Sequence, residues 1–164
     1  MRIIMLSLED IGDIWYNLGQ CVHLTDLSLS TNSQTMSLLS LLQHCRQLKK
    51  LTVTQCLIHS PLQLPGHTSP LSSLTLCAVN FNYKDLTGLL AWLSCLVCLD
   101  IINCVALEVA SPPTIEWHIP NANMSIAIEN LQLTTGPVHR PSQAPHQVTV
   151  LNSQTNRSHS WLSW

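Results

Sequence analysis

The sequence predicts an α/β solenoid with a short-stranded parallel sheet on its concave side and irregular helices or loops on its convex side. Three observations carry that reading. An apolar frame, Leu-x2-Leu-x-Leu-x2-Asn/Cys, recurs along the chain: Leu24, Leu27, Leu29, Asn32; then Leu48, Leu51, Val53, Cys56; then Leu71, Leu74, Leu76, Val79; then Leu96, Leu99, Ile101, Cys104. Weaker copies begin at Ile3 (with Leu6, Leu8, Ile11) and at Ile128 (with Leu131, Leu133, Gly136). Most steps between first positions fall in the range of about 20–29 residues used by one type of stacked repeat. Within each frame the apolar residues alternate at strand period, whereas between frames leucines recur at helical spacing. Finally, 164 residues with 46% hydrophobic content suffice for one continuous core shared by five or six such units.

Taken in order, each frame opens with a strand whose leucines turn inward while the residues between them face out. After Ile11, the spacing of Ile14, Leu18 and Cys21, widened by Trp15, predicts a helix of about two turns. After Asn32, Met36, Leu39, Leu42 and Cys45 share a stripe with Leu38 and Leu41 beside it. This predicts a helix within residues 33–45, capped by Ser33 or Thr35. The segment after Cys56 cannot follow suit, because Pro61, Pro65, Gly66 and Pro70 interrupt it; an extended connection is expected. The next convex segment recovers a helical stripe in Leu86, Leu89, Leu90 and Leu93, with Asp85 placed to meet the positive end of the helix.

Between Cys104 and Ile126 the step lengthens and Pro112, Pro113 and Pro120 appear. An irregular insertion is expected there, carrying a short strand through Ile115, Trp117 and Ile119. Residues 1–136 thus form the repeat domain. From 137 the composition turns to Pro, Ser, Gln and His, which predicts a largely disordered tail over 137–164, with Val148–Leu151 a candidate final strand.

Charge and cysteine usage narrow the function. Only 10% of residues are charged and the net charge is −2, so the chain lacks the basic footprint of a nucleic-acid or anionic-membrane binder. No run approaches the ~18 apolar residues of a membrane helix. The first residues end their apolar run in Glu9 and Asp10, which favours a repeat strand over a leader, and a cytoplasmic location follows as the expectation. Of seven cysteines, Cys21 and Cys45 precede frame leucines by the same offset and Cys56 and Cys104 fill the last frame position, so they read as buried core thiols. Cys95 and Cys98 have zinc-ligand spacing without a second pair, and no metal is expected. The odd count favours reduced thiols. Asn123-Met-Ser125 and Asn156-Arg-Ser158 are glycosylation tripeptides that matter only in a secreted chain. No Gly-x-Ser-x-Gly, His-Glu-x2-His or Gly-x-Gly-x2-Gly run is present, and the acids are few and dispersed; neither enzymatic activity nor a cofactor is expected.

The fuller frame Leu42-x2-Cys45-x2-Leu48-x2-Leu51-x-Val53-x2-Cys56, matched by Leu18-x2-Cys21-x2-Leu24-x2-Leu27-x-Leu29-x2-Asn32, resembles the cysteine-containing leucine-rich repeats of intracellular proteins. Repeats of this kind occur in the sensor tails of NOD-like immune receptors, to which the Leu-Leu-x-His-Cys run is slightly more similar, and in the substrate-binding tails of F-box proteins in ubiquitin ligases. The chain contains neither a Gly-x4-Gly-Lys-Ser/Thr phosphate loop nor an F-box. The resemblance implies a protein-binding module, with a truncated repeat fragment as the inert alternative. The candidate surface is the concave face. One column comprises Ser28, Thr52, Thr75, Asp100 and Gln132, led by Ser7; a flanking column comprises Asp26, Lys50, Ser73, Cys98 and Asn130. Small or polar side chains in such columns suit hydrogen-bonding recognition of a protein partner.

Overall fold

A computed structural model describes residues 2–7, 17–18, 20–31, 35–59, 68–107, 114–119, 121, 123–134, 146–152 and 158–163. The architecture is α/β, with two parallel sheets and few helices. The larger sheet has six strands in the order β1 (Arg2–Ser7), β2 (Asp26–Ser30), β4 (Lys50–Thr54), β6 (Ser73–Cys77), β8 (Cys98–Ile102), β11 (Ser125–Glu129). All its pairs are parallel, and from β2 to β11 they keep one register: Leu27, Leu51, Leu74, Leu99 and Ile126 stand side by side, as do Leu29, Val53, Leu76, Ile101 and Ile128. These are the inward positions, and from β2 to β8 they are 0–3% exposed. The alternation predicted from sequence is therefore the alternation of burial.

The second sheet is built from two- and three-residue strands: β3 (Thr35–Met36), β5 (Leu57–Ile58), β7 (Asn80–Asn82), β9 (Val105–Leu107) and β12 (Gln132–Leu133), again parallel neighbours in chain order. It arises from a corner that the chain turns after β4, β6, β8 and β11. Gln55, Ala78, Asn103 and Asn130, each immediately after its strand, adopt φ of 53–54°. Side chains other than Gly and Asn find that left-handed conformation costly. Backbone bonds running from one corner to the next hold it: Gln55 N–H donates to Cys77 O at 3.1 Å, Ala78 N–H to Ile102 O at 2.9 Å, Asn103 N–H to Glu129 O at 2.8 Å. The side chain that follows, Cys56, Val79, Cys104 or Leu131, is buried, and two residues further on Ile58, Phe81, Ala106 and Leu133 bury against the same core.

Before β4, β6 and β8 the ladder is equally regular. Thr25 O accepts from both Lys49 and Lys50, Lys49 O from Ser72 and Ser73, and Ser72 O from Val97 and Cys98, at 2.8–3.0 Å.

Two helices are described in full. Helix α1 (Leu38–His44) buries Leu38, Leu39, Leu41 and Leu42, and its N-cap is Ser37, whose Oγ accepts from Ser40 N–H at 3.2 Å. The expected start near Ser33 or Thr35 moves later because Thr35 and Met36 pair with Leu57 and Ile58 instead. Helix α2 (Tyr83–Trp92) is capped by Asn82 and buries Leu86, Leu89 and Leu90, with Asp85 in its first turn as the sequence suggested. The helix expected after Ile11 lies largely outside the described residues, of which 17 and 18 are helical; most of the proline-rich connection after Cys56 also lies outside them.

The insertion carries the expected strand, β10 (Thr114–Ile119), beside α2. It pairs in parallel with β13 (His146–Asn152), which pairs antiparallel with β14 (Ser158–Ser163). These two strands lie in the segment for which composition suggested disorder; the β-branched alternation of Val148-Thr149-Val150 supports extended backbone despite the neighbouring prolines. Among the described residues, no helix is long and apolar enough to cross a membrane.

Candidate functional site

The outward face of the six-stranded sheet collects most of the polar positions singled out in the sequence. Asp26, Lys50, Ser73 and Cys98 are consecutive partners in one row across β2, β4, β6 and β8, and Ser28, Thr52, Thr75 and Asp100 form the next. Identical strand lengths and an unshifted register cause this, because each outward residue has an outward neighbour one strand away. Apart from the exposed Lys50, these side chains are half-buried. A third row runs Ser30, Thr54, Cys77 and Ile102.

Two of the ten candidates belong elsewhere. Asn130 is not in the row of Lys50 and Ser73; it occupies the corner after β11, where its Nδ2 donates to Asn103 Oδ1 at 2.9 Å. Gln132 lies on β12 in the second sheet. The rows end instead on Ser125 and Ala127, with Glu129 ending the third. The frame assigned to Ile128, Leu131 and Leu133 thus begins earlier, at Ile126 and Ile128. Ile126-x-Ile128 and Leu131-x-Leu133 show the same alternation, and only pairing with Leu99 and Ile101 distinguishes them. At the other end, β1 sets Ile3 opposite Leu27 and Leu6 opposite Leu29, with an irregularity between that takes up one extra residue. Ser7 consequently stands beside Ser30 rather than Ser28.

The β6–β8 part of the face is hydrogen-bonded within itself. Thr75 Oγ1 donates to Asp100 Oδ2 at 3.2 Å, and Cys98 Sγ lies 3.8 and 3.9 Å from the two carboxylate oxygens. Burial, and secondarily the Asp100 charge, push the Cys98 thiol above its ordinary range, with a Ser73 hydrogen bond opposing them. At the opposite end Thr25 Oγ1 donates to Asp26 at 2.7 Å. Both carboxylates are held by hydroxyl donors, which orients them for a partner while leaving further acceptor capacity.

Cys45, Cys56 and Cys104 are free and buried, as core thiols at these frame positions should be. Desolvation raises Cys45 to about 11 and Cys56 to about 12. Cys95 is exposed at a turn, and among the described residues no three His, Cys, Asp or Glu side chains converge on a metal position. A shallow cleft of about 320 Å³ lies elsewhere, lined by Cys21, Val22, His44, Cys45, Arg46 and Gln47. His59 and Asp85 approach to 3.5 Å, linking the segment after β5 to the start of α2.

No protein-family model, no curated protein and no solved structure matches this chain.

Proposed function

We propose that the chain is a leucine-rich-repeat module, a solenoid with its long-stranded sheet on the concave side, that binds another protein across that sheet in the cytoplasm and catalyses no reaction. The observation that carries this reading is the pair of polar rows, Asp26 to Cys98 and Ser28 to Asp100, held in register across four strands. Except for Lys50 their side chains are short, so a partner backbone can approach the sheet closely, and the oriented carboxylates of Asp26 and Asp100 provide fixed hydrogen-bond acceptors. The Leu41-Leu42-x-His44-Cys45 run is slightly more similar to the sensor tail of a NOD-like receptor than to the substrate-binding tail of an F-box protein. A truncated repeat fragment is the second reading, favoured by Ile126 and Ile128, whose inward side chains are only half-buried.

Affinity capture from cytosol tests the first reading, comparing the parent chain with Lys50→Glu alone and with Lys50→Glu, Asp100→Lys together. The parent should retain partners that the double variant loses at an unchanged melting temperature. Identical recovery, or none from any chain, removes the concave-face reading.

A further inference from the structure

Strand β11 differs from the strands it continues. Along β2, β6 and β8 the outward residues are half-buried and the inward ones fully buried; along β11 the outward residues are exposed and the inward Ile126 and Ile128 half-buried. Among the described residues it is the last strand of its sheet, and it pairs with β8. Its backbone polarity is also determined. Ser125 N–H donates to Val97 O at 2.8 Å and Glu129 O accepts from Asn103 N–H at 2.8 Å, so the odd-numbered residues direct their backbone groups toward β8. Successive residues of a strand point these groups to opposite edges, so Ile126 and Ile128 present theirs to the open side, where no described strand pairs with β11.

We propose that two copies of this chain join edge to edge through β11, antiparallel and centred on Ala127. About that centre Ile126 of one copy stands opposite Ile128 of the other, and the reverse pair closes the same way. These are the two residues whose N–H and C=O face the open edge, so each pair can exchange both bonds, and no register shift or bulge is required. A two-fold axis perpendicular to the sheet keeps the inward faces on one side, so the half-buried isoleucines cover each other across the seam. The charges are also compatible. Glu129 falls opposite the Ser125 hydroxyl of the second copy rather than opposite its own counterpart, and the small Ala127 side chains meet at the axis, where cross-strand side chains are closest.

The test is sedimentation equilibrium of the full chain over about 1–100 µM, a range in which mass action should reveal the association. The parent should pass from its 18.2 kDa monomer to twice that mass. Ala127 is exposed, so Ala127→Lys and Ala127→Glu should leave the fold intact by circular dichroism. Each variant alone sets like charges against each other at the axis and should remain monomeric over the whole range. An equimolar mixture of the two should recover the dimer. A parent that stays at 18.2 kDa or grows beyond the dimer, single variants that associate as the parent does, or a mixture that stays monomeric would each overturn the β11 dimer.

Discussion

Replacing Leu51 by Ala tests whether the frame leucines are the shared core. Leu51 is 1% exposed and lies between Leu27 and Leu74 in the middle of the long-stranded sheet, so neighbouring strands cannot close over a void without breaking register. Truncation there should cost about 2–5 kcal/mol, the lost transfer energy plus the cavity. A mid-range loss of about 3 kcal/mol corresponds to a melting temperature lower by roughly 6–12 °C for a chain of this size. Ile126→Ala is the internal comparison, since Ile126 continues the same row but is only half-buried. Part of its surface is already in water and the vacated space opens to solvent, so the cost should be roughly half as large, about 1–2 kcal/mol. Urea unfolding followed by far-ultraviolet circular dichroism, at one low protein concentration to limit any contribution from association, should give displaced midpoints and unchanged slopes. A Leu51→Ala cost below about 1 kcal/mol, or an Ile126→Ala cost equal to it, would refute the reasoning from burial.

Two further outcomes concern the thiols and the corners. Folding keeps Cys45 and Cys56 protonated to about 11 and about 12, against an ordinary 9.0, so above pH 9 the unfolded chain ionises first. Stability contributed by these thiols is full below that value and is lost as pH rises toward 12. Cys56→Val, which copies Val79 in the equivalent position, should flatten the fall in urea midpoint between pH 9 and pH 11; a parallel fall in both proteins would count against the thiol. Ala78→Gly should raise stability by up to about 1 kcal/mol, because it relieves a left-handed Ala at a cost only in unfolded-chain entropy. A lower melting temperature for that variant would show that the corner is not strained.

The long-stranded sheet was legible because its signal is redundant. Leu27, Leu51, Leu74 and Leu99 each have a partner two residues later, and the spacing repeats. The short-stranded sheet was not legible, although its mark is present in Ile58, Phe81, Ala106 and Leu133, each two residues beyond the last frame position. Strands of two or three residues produce no periodicity of their own, and only the stacking of equivalent corners makes them pair. Helix α1 begins later than its stripe suggests for the same reason: Met36 fits the helical spacing, but its tertiary pairing with Ile58 takes precedence. Of the candidate face, the eight positions on β2 to β8 form the two rows expected of them. Asn130 and Gln132 do not join them, because the insertion before β11 breaks the spacing and leaves two equally alternating segments to choose between.

The unshifted register also governs how the chain assembles. Each long strand pairs with the one a single repeat away, so every pairing closes a loop of similar length and incurs a similar entropic cost. Each pairing still joins residues a full repeat apart in sequence, the non-local parallel pairing that slows folding. With closure costs nearly equal, burial selects the nucleus. The pairs β4–β6 and β6–β8, whose inward residues are at most 1% exposed, should form first and exchange their amide hydrogens last. Strand β11 should join late and open early, so the edge most available to another chain is also the part that most readily comes undone.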